Sequence, residues 1–276
     1  QIAEAFEAAG APKGLVTAIH CSHAVSEQLV AHPLAGFVSF TGSVGGGRRI
    51  YQAVAQSRFI DVGLELGGKD PAYVAEDAHF DHAVVNLVEG GFYNAGQSCC
   101  GIERIYVHEN LYERFLEAAI EETKNYQPGD PMAEGTSLGP MAQANSIAFL
   151  AGQVDQAKAA GARILTGGVP TSFEGQGRFF TPTIAADTEH SMSIASEESF
   201  GPILAVQKVS SDEEAVAKMN DSDFGLTASV WTADIDRGRA LLPKIEAGTV
   251  FLNRADFLDP QLAWTGVKDS GKGVSL

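Results

Sequence analysis

Phe37-Val38-Ser39-Phe40-Thr41-Gly42-Ser43-Val44-Gly45-Gly46-Gly47-Arg48 decides how the chain is read. Residues 37–40, β-branched and aromatic, predict a strand, and residues 48–56 predict the helix that follows it. Between them, residues 42–47 form a glycine-rich turn from strand to helix. More strand-like runs at 16–19 and 59–62, with a helical run at 22–31 that Ser22 can cap, give βα alternation and hence a parallel sheet. This is half of a doubly wound nucleotide-binding domain. Helix N-termini with glycine neighbours favour phosphate. Residues 42–47 are nevertheless not a G-x-G-x-x-G fingerprint, and alone they are equally a plain βα turn.

Working outward, residues 1–10 read as a helix ending at a glycine. After Gly68 the alternation resumes with a strand at 72–75, a long helix at 80–96 and a strand at 104–108. The next helix, 111–126, places Leu111, Phe115 and Ala118 on one stripe and is stopped by Pro128-Gly129-Asp130-Pro131. Ile147, Leu150, Val154 and Ala157 recur at helical spacing. Strands are expected at 164–166, 203–209, 227–231 and 249–253, with helices at 212–220 and 236–245, and residues 167–177 read as a loop. The second domain is therefore also α/β.

With 276 residues, 45% hydrophobic and 20% charged, the chain is that of an ordinary globular protein with a sizeable core. Its net charge of -16 argues against a nucleic-acid backbone or an anionic membrane as partner. Three cysteines, two of them adjacent, form no disulfide framework, and with no signal peptide or long apolar span the default location is cytoplasmic.

Two runs carry the chemistry: Glu65-Leu66-Gly67-Gly68-Lys69 and Gly96-Gln97-Ser98-Cys99. Cys99 lies where a long helix gives way to a loop, beside residues small or polar enough for a substrate to approach. A cysteine attacks as its thiolate, which needs local dipoles or charge to form. A thioester on that sulfur needs a base to bring in water, and Glu65, ahead of two glycines, can take the water's proton. Each residue alone has a bland alternative: an inert buried thiol, a capping glutamate. Lys69 reads as a structural ion-pair partner, and Cys100 as a packing neighbour. Two further patterns are set aside. Residues 266–272 imitate a phosphate loop, but Gly273 stands where Ser or Thr is required. His20, Cys21 and His23, like His79 and His82, offer no three convincing metal ligands.

Taken in order, Phe40-Thr41-Gly42-Ser43, Glu65 to Lys69, Gly96-Gln97-Ser98-Cys99, Glu198-Ser199-Phe200-Gly201-Pro202, Phe224-Gly225-Leu226-Thr227-Ala228, Gly248-Thr249-Val250 with Asn253, and residues 266–271 resemble the aldehyde dehydrogenase superfamily over nearly the whole chain. The resemblance implies an NAD(P)-dependent oxidation of a small-molecule aldehyde with Cys99 as nucleophile and Glu65 as base. Gly42, Ser43 and Leu66 would border the dinucleotide, with Glu198 and Phe200 at its nicotinamide ribose and ring. Tyr93, Asn253, Leu258 and Trp264 would lie near a substrate funnel, where core packing is the competing role. Arg254 and Asp256 are candidates to pair with each other.

The resemblance also implies residues 1–65 as the end of a NAD(P)-binding domain, 66–250 as a catalytic domain, and 251–276 as a return segment lining the funnel. It implies a homo-oligomer at full length. Neither a Pro-Trp-Asn stretch for an oxyanion-binding asparagine nor a Lys-Pro stretch for the adenosine ribose is present. The expectation is therefore the C-terminal part of a longer enzyme, with negligible activity by itself. A relative that passes its acyl group to coenzyme A or phosphate, and a non-catalytic scaffold, are the alternatives; Glu65 favours water.

Overall fold

The computed structural model describes residues 1–255 and 257–275. In chain order the elements are α1 (Ile2–Ala8), α2 (His23–Val30), β1 (Phe37–Thr41), α3 (Val44–Ser57), β2 (Asp61–Glu65), β3 (Asp70–Val74), α4 (Phe80–Phe92), β4 (Ile102–His108), α5 (Tyr112–Thr123) and α6 (Ala144–Ala159). Then come β5 (Arg163–Thr166), β6 (Pro170–Phe173), β7 (Gln176–Phe180), β8 (Thr183–Ala186), α7 (Ser193–Ser196), β9 (Ile203–Val209) and α8 (Asp212–Asn220). The last are β10 (Phe224–Gly225), β11 (Thr227–Trp231), α9 (Ile235–Leu241), β12 (Thr249–Leu252), β13 (Val267–Lys268) and β14 (Gly271–Lys272).

The large sheet has the order β12-β11-β3-β4-β9-β8-β5, parallel except for β5. Its central strands are apolar on both faces, as strands sandwiched between helices must be. Alternation sorts them: Ala72, Val74, Ile105 and Val107 pack with α4 and α5, whereas Tyr73, Ala75 and Tyr106 pack with residues of α8 and α9. A smaller sheet, β1-β2-β14, has β1 and β2 parallel and β14 antiparallel to β2. Its core joins Val38, Val62 and Leu64 to Ile50 and Val54 of α3. The chain crosses from one sheet to the other through Leu66, Gly67, Gly68 and Lys69. It returns near its end, where β14 pairs with β2 and Leu66 N donates to Ser270 O at 3.0 Å.

Several local expectations are corrected. Residues 16–19 form no strand; Leu15 and Ile19 are exposed, and among the described residues β1 has only β2 beside it. The helix after β1 starts at Val44, inside the glycine run, because the Ser43 hydroxyl accepts from Gly46 N at 3.1 Å and caps it. The helix from residue 80 stops at Phe92, and Asn94 and Ala95 turn left-handed with φ of 50° and 58°. In α5 the buried stripe is Tyr112, Phe115, Leu116, Ala119 and Thr123, so Leu111 and Ala118 flank it. Residues 167–177 are not one loop but contain most of a hairpin, β6 with β7, turning at Glu174 and Gly175 where φ is 50° and 74°. Strand β8 was not anticipated. Residues 266–272, already set aside as a phosphate loop, contain β13 and β14.

Candidate active site

Glu65 ends β2, Lys69 precedes β3, and the four residues from Leu66 form the seam between the two sheets. The turn carrying Cys99 packs directly on that seam. A Cβ on Gly68 would lie 2.2 Å from the Cys99 carbonyl oxygen, and one on Gly67 would lie 2.5 Å from Glu198 Oε2. At Gly68 only glycine permits this approach, because the atom met is backbone, whereas a side chain at residue 67 would displace the Glu198 carboxylate. Gly68 N also donates to Glu198 Oε1 at 2.9 Å. Three segments distant in sequence thus meet at one point.

Beneath it lies a buried polar bracket. Lys69 Nζ stands 2.5 Å from Glu103 Oε2 and donates to Ser199 Oγ at 3.0 Å. Glu103 in turn accepts from Ser199 N at 2.8 Å and Phe200 N at 2.9 Å, which fixes the turn bearing Glu198 and Phe200. Phe200 is left-handed, with φ of 49°. Ser270 pins the same seam from the other side: its hydroxyl donates to Gly67 O at 2.7 Å and accepts from Gly225 N at 3.0 Å. The expected ion-pair role of Lys69 is what the structure gives. Glu103 and Ser270 were missed by sequence reasoning, although the adjacent charges Glu103 and Arg104 between two isoleucines of a strand signal buried partners.

Cys99 is partly buried and packs with Cys100, Leu226 and Trp264. Its thiol is held below the usual value, chiefly by a hydrogen bond from the Cys100 side chain and also by its own backbone N–H. Burial and the carboxylates of Glu198 and Glu65 push the other way. Burial, with help from the Glu103 charge, pushes the Glu198 carboxyl up to about 7; Gly68 N–H and Lys69 oppose it. Glu65 accepts from Trp264 Nε1 at 3.2 Å and from Ser275 Oγ at 2.6 Å.

Cys99 opens onto a cavity of about 500 Å³ whose walls include Tyr93, Ser98, Cys100 and Leu258. Trp264 backs Cys99 through packing. Asn253 Oδ1 accepts from Thr232 N and its Nδ2 donates to Thr232 O, both at 2.9 Å, so its amide ties β12 to the end of β11. Arg254 stacks on the Phe257 ring at 3.4 Å, while its expected pairing with Asp256 lies outside the described residues. A second cavity, of about 430 Å³, lies between α2 and the N-terminus of α3, with Ser43, Gly45, Gly46, His23 and Arg49 on its wall. Gly42 is closed against the Phe40 ring, and Leu66 turns its side chain into the core beside Gly47. Among the described residues no cluster of metal-ligating side chains occurs, and no helix is long and apolar enough to cross a membrane.

The sequence profile of the aldehyde dehydrogenase family matches residues 1–276. The chain belongs to the aldehyde dehydrogenase family. It is 39% identical over 274 residues to betaine aldehyde dehydrogenases of Brucella melitensis and Brucella abortus, covering 99% of this chain and 56% of theirs. This family member therefore spans about half the length of the curated relatives it matches. Among solved structures it is similar to an NAD-dependent aldehyde dehydrogenase of Sinorhizobium meliloti, with a TM-score of 0.94, 33% identity, and coverage of 99% of this chain and 54% of that one. A Staphylococcus aureus betaine aldehyde dehydrogenase in complex with NAD+ gives a TM-score of 0.94, 33% identity, and coverage of 98% and 54%. The α/β architecture expected from the alternation of strands and helices is thus that of the family.

Proposed function

We propose that this chain carries the thiol, the hydrolytic base and part of the dinucleotide cradle of an NAD(P)+-dependent oxidation of an aldehyde to a carboxylic acid. The observation that carries this reading is the seam, where Gly67 and Gly68 bring Glu198 and the Cys99 backbone together immediately after Glu65.

The cradle fits a dinucleotide in two places. A glycine-bearing helix N-terminus opens onto the cavity with Arg49, which suits a pyrophosphate. Glu198, half-buried and fixed by Gly68 N–H, suits the hydroxyls of the nicotinamide ribose, with Phe200 beside its ring. What the dinucleotide supplies when bound is acceptance of hydride. The rest falls to side chains. The Cys99 thiolate adds to the aldehyde carbon, and Cys99 N–H supports the oxygen. Once oxidised, the carbon is a thioester on Cys99. Glu65 then takes a proton from water as the water attacks that carbon, and the Cys99 thiolate leaves with the acid released. Tyr93, Leu258 and Trp264 shape the approach of the aldehyde.

A limiting dose of iodoacetamide at pH 7, followed by peptide mass spectrometry, tests the reading. Cys99 is expected to be modified ahead of Cys21, although Cys21 is the exposed one. Preferential labelling of Cys21 would mark Cys99 as an inert thiol and favour a scaffold. The 276 residues assayed alone are expected to show negligible aldehyde-dependent NAD(P)H formation, having only part of an oxyanion site, and turnover at full rate would refute that.

Glu198 gives a pH dependence. The ionised carboxylate would accept from the ribose hydroxyls at both oxygens, whereas the protonated acid would lose one of those acceptor sites and the charge that strengthens the other, and burial pushes this carboxyl up to about 7. Dinucleotide affinity is expected to weaken as pH falls below that value, by up to about tenfold per unit. In Glu198→Gln titration calorimetry should give weaker but pH-independent binding; a slope that persists in the variant would assign it elsewhere.

A further inference from the structure

Glu65 is the last residue of β2, and a side chain at a strand end is free to rotate unless something holds it. Here both carboxylate oxygens are held. The Trp264 indole N–H donates to Oε2 at 3.2 Å and the Ser275 hydroxyl to Oε1 at 2.6 Å. These donors are themselves paired: Trp264 and Ser275 face each other across an antiparallel bridge closed by two backbone hydrogen bonds of 2.9 Å. The bridge is anchored in turn. Between its two halves lies Ser270, fully buried, bonded to Leu66 N, Gly67 O and Gly225 N, and Gly271 is registered opposite Glu65 itself.

Trp264 does two things at once. Its N–H meets the carboxylate while its ring packs in one cluster with Cys99, Cys100 and Leu226. The side chain that orients the base therefore also backs the nucleophile, and one short segment fixes their relation.

We propose that Trp264 and Ser275 are positioning residues that clamp the Glu65 carboxylate for attack of water on the Cys99 thioester. This rests on the functional reading above and assigns it a device: residues 264–275 set the rate of acyl release. Each carboxylate oxygen has two lone-pair directions, so a clamped carboxylate still accepts the water's proton. Hydrogen bonds to an ionised acceptor are among the stronger ones. Losing one releases the side chain into several rotamers, of which few face the thioester. Formation of the thioester needs the Cys99 sulfur and the hydride acceptor, not the clamp, so the two halves of the reaction should separate.

The test follows reduced nicotinamide by stopped flow in the complete native polypeptide, with propanal and whichever of NAD+ or NADP+ supports turnover. In Ser275→Ala the pre-steady-state burst is expected to keep its rate within about twofold while the steady-state rate falls about tenfold or more; in Trp264→Phe, which also borders the aldehyde and Cys99, it is the ratio of steady-state to burst rate that should fall by a similar factor. Ser275→Thr, which retains a hydroxyl, should restore the wild-type rate. Ser275 is only half-buried, so its variants bear on the clamp without threatening the core. An unchanged steady state in both variants, or burst and steady state falling in parallel, overturns the clamp while leaving the oxidation intact. Absence of aldehyde-dependent reduction by the wild type overturns the oxidation itself, and the clamp with it.

Discussion

Glu103→Leu is expected to lower the unfolding free energy at pH 7 by about 3–5 kcal/mol, close to the whole stability of many domains. Lys69 and Glu103 have side-chain exposures of 1% and 4%, and the carboxylate also receives the N–H groups of Ser199 and Phe200. Removing it strands a buried ammonium and two backbone donors together. Replacing the pair, as in Lys69→Met with Glu103→Leu, removes the stranded charge and should recover a good part of the loss. Burial holds Lys69 below the usual lysine range, although Glu103 opposes the shift. Without Glu103 that depression deepens, so the deficit of the single variant should shrink as pH rises and Lys69 gives up its proton. Urea titrations of wild type, both single variants and the double variant check this. Equal losses in Glu103→Leu and in the double variant would mean that the bracket matters for its shape and not for its charge.

That bracket shows where the sequence was legible and where it was not. Strands β9 and β11 and helix α8 have the bounds expected from local sequence, because the strands are rich in aliphatic, β-branched and aromatic residues and the helix starts at a cap, Ser211, whose hydroxyl accepts from Glu214 N at 3.2 Å. Residues 16–19 are as β-prone as any of these, yet strand propensity has meaning only against a neighbouring strand. The helix from residue 80 was expected to continue to Gly96, since nothing local forbids it. What ends it is tertiary: a Cβ on Gly96 would lie 2.1 Å from the Gly201 carbonyl, so the chain must turn there to meet the loop after Glu198. Cys99 and Glu65 could be singled out because their motifs are compact. Of the residues that hold them, Trp264 could be named only for the funnel and Glu103, Ser270 and Ser275 not at all: Glu103 acts through Lys69 and the turn at Ser199, and the other three through contacts made where the chain returns to β2. For Asn253 the motif located the residue but not its partner, the Thr232 backbone.

Glu65→Gln is expected to cut steady-state acid formation in the complete native polypeptide by about 100- to 10,000-fold, the usual worth of a positioned general base. Glutamine is close to isosteric and retains an acceptor oxygen for the Trp264 indole or the Ser275 hydroxyl, so the seam and Cys99 should stay in place. It cannot take a proton from water. The Cys99 thiolate is supported by Cys100 and its own backbone N–H, neither of which the substitution touches, and loss of the Glu65 charge removes one of the influences that raise the thiol. Thioester formation should therefore proceed and its hydrolysis stall. Quenched in acid after one turnover, the variant should carry about one acyl group per chain on Cys99, visible as a mass increment on the peptide containing it. Acid formation at the wild-type rate would remove Glu65 from the hydrolytic step and revive transfer of the acyl group to coenzyme A or phosphate. Loss of the mass increment together with turnover would instead place Glu65 in the first half of the reaction, as the group that takes the proton from the Cys99 thiol.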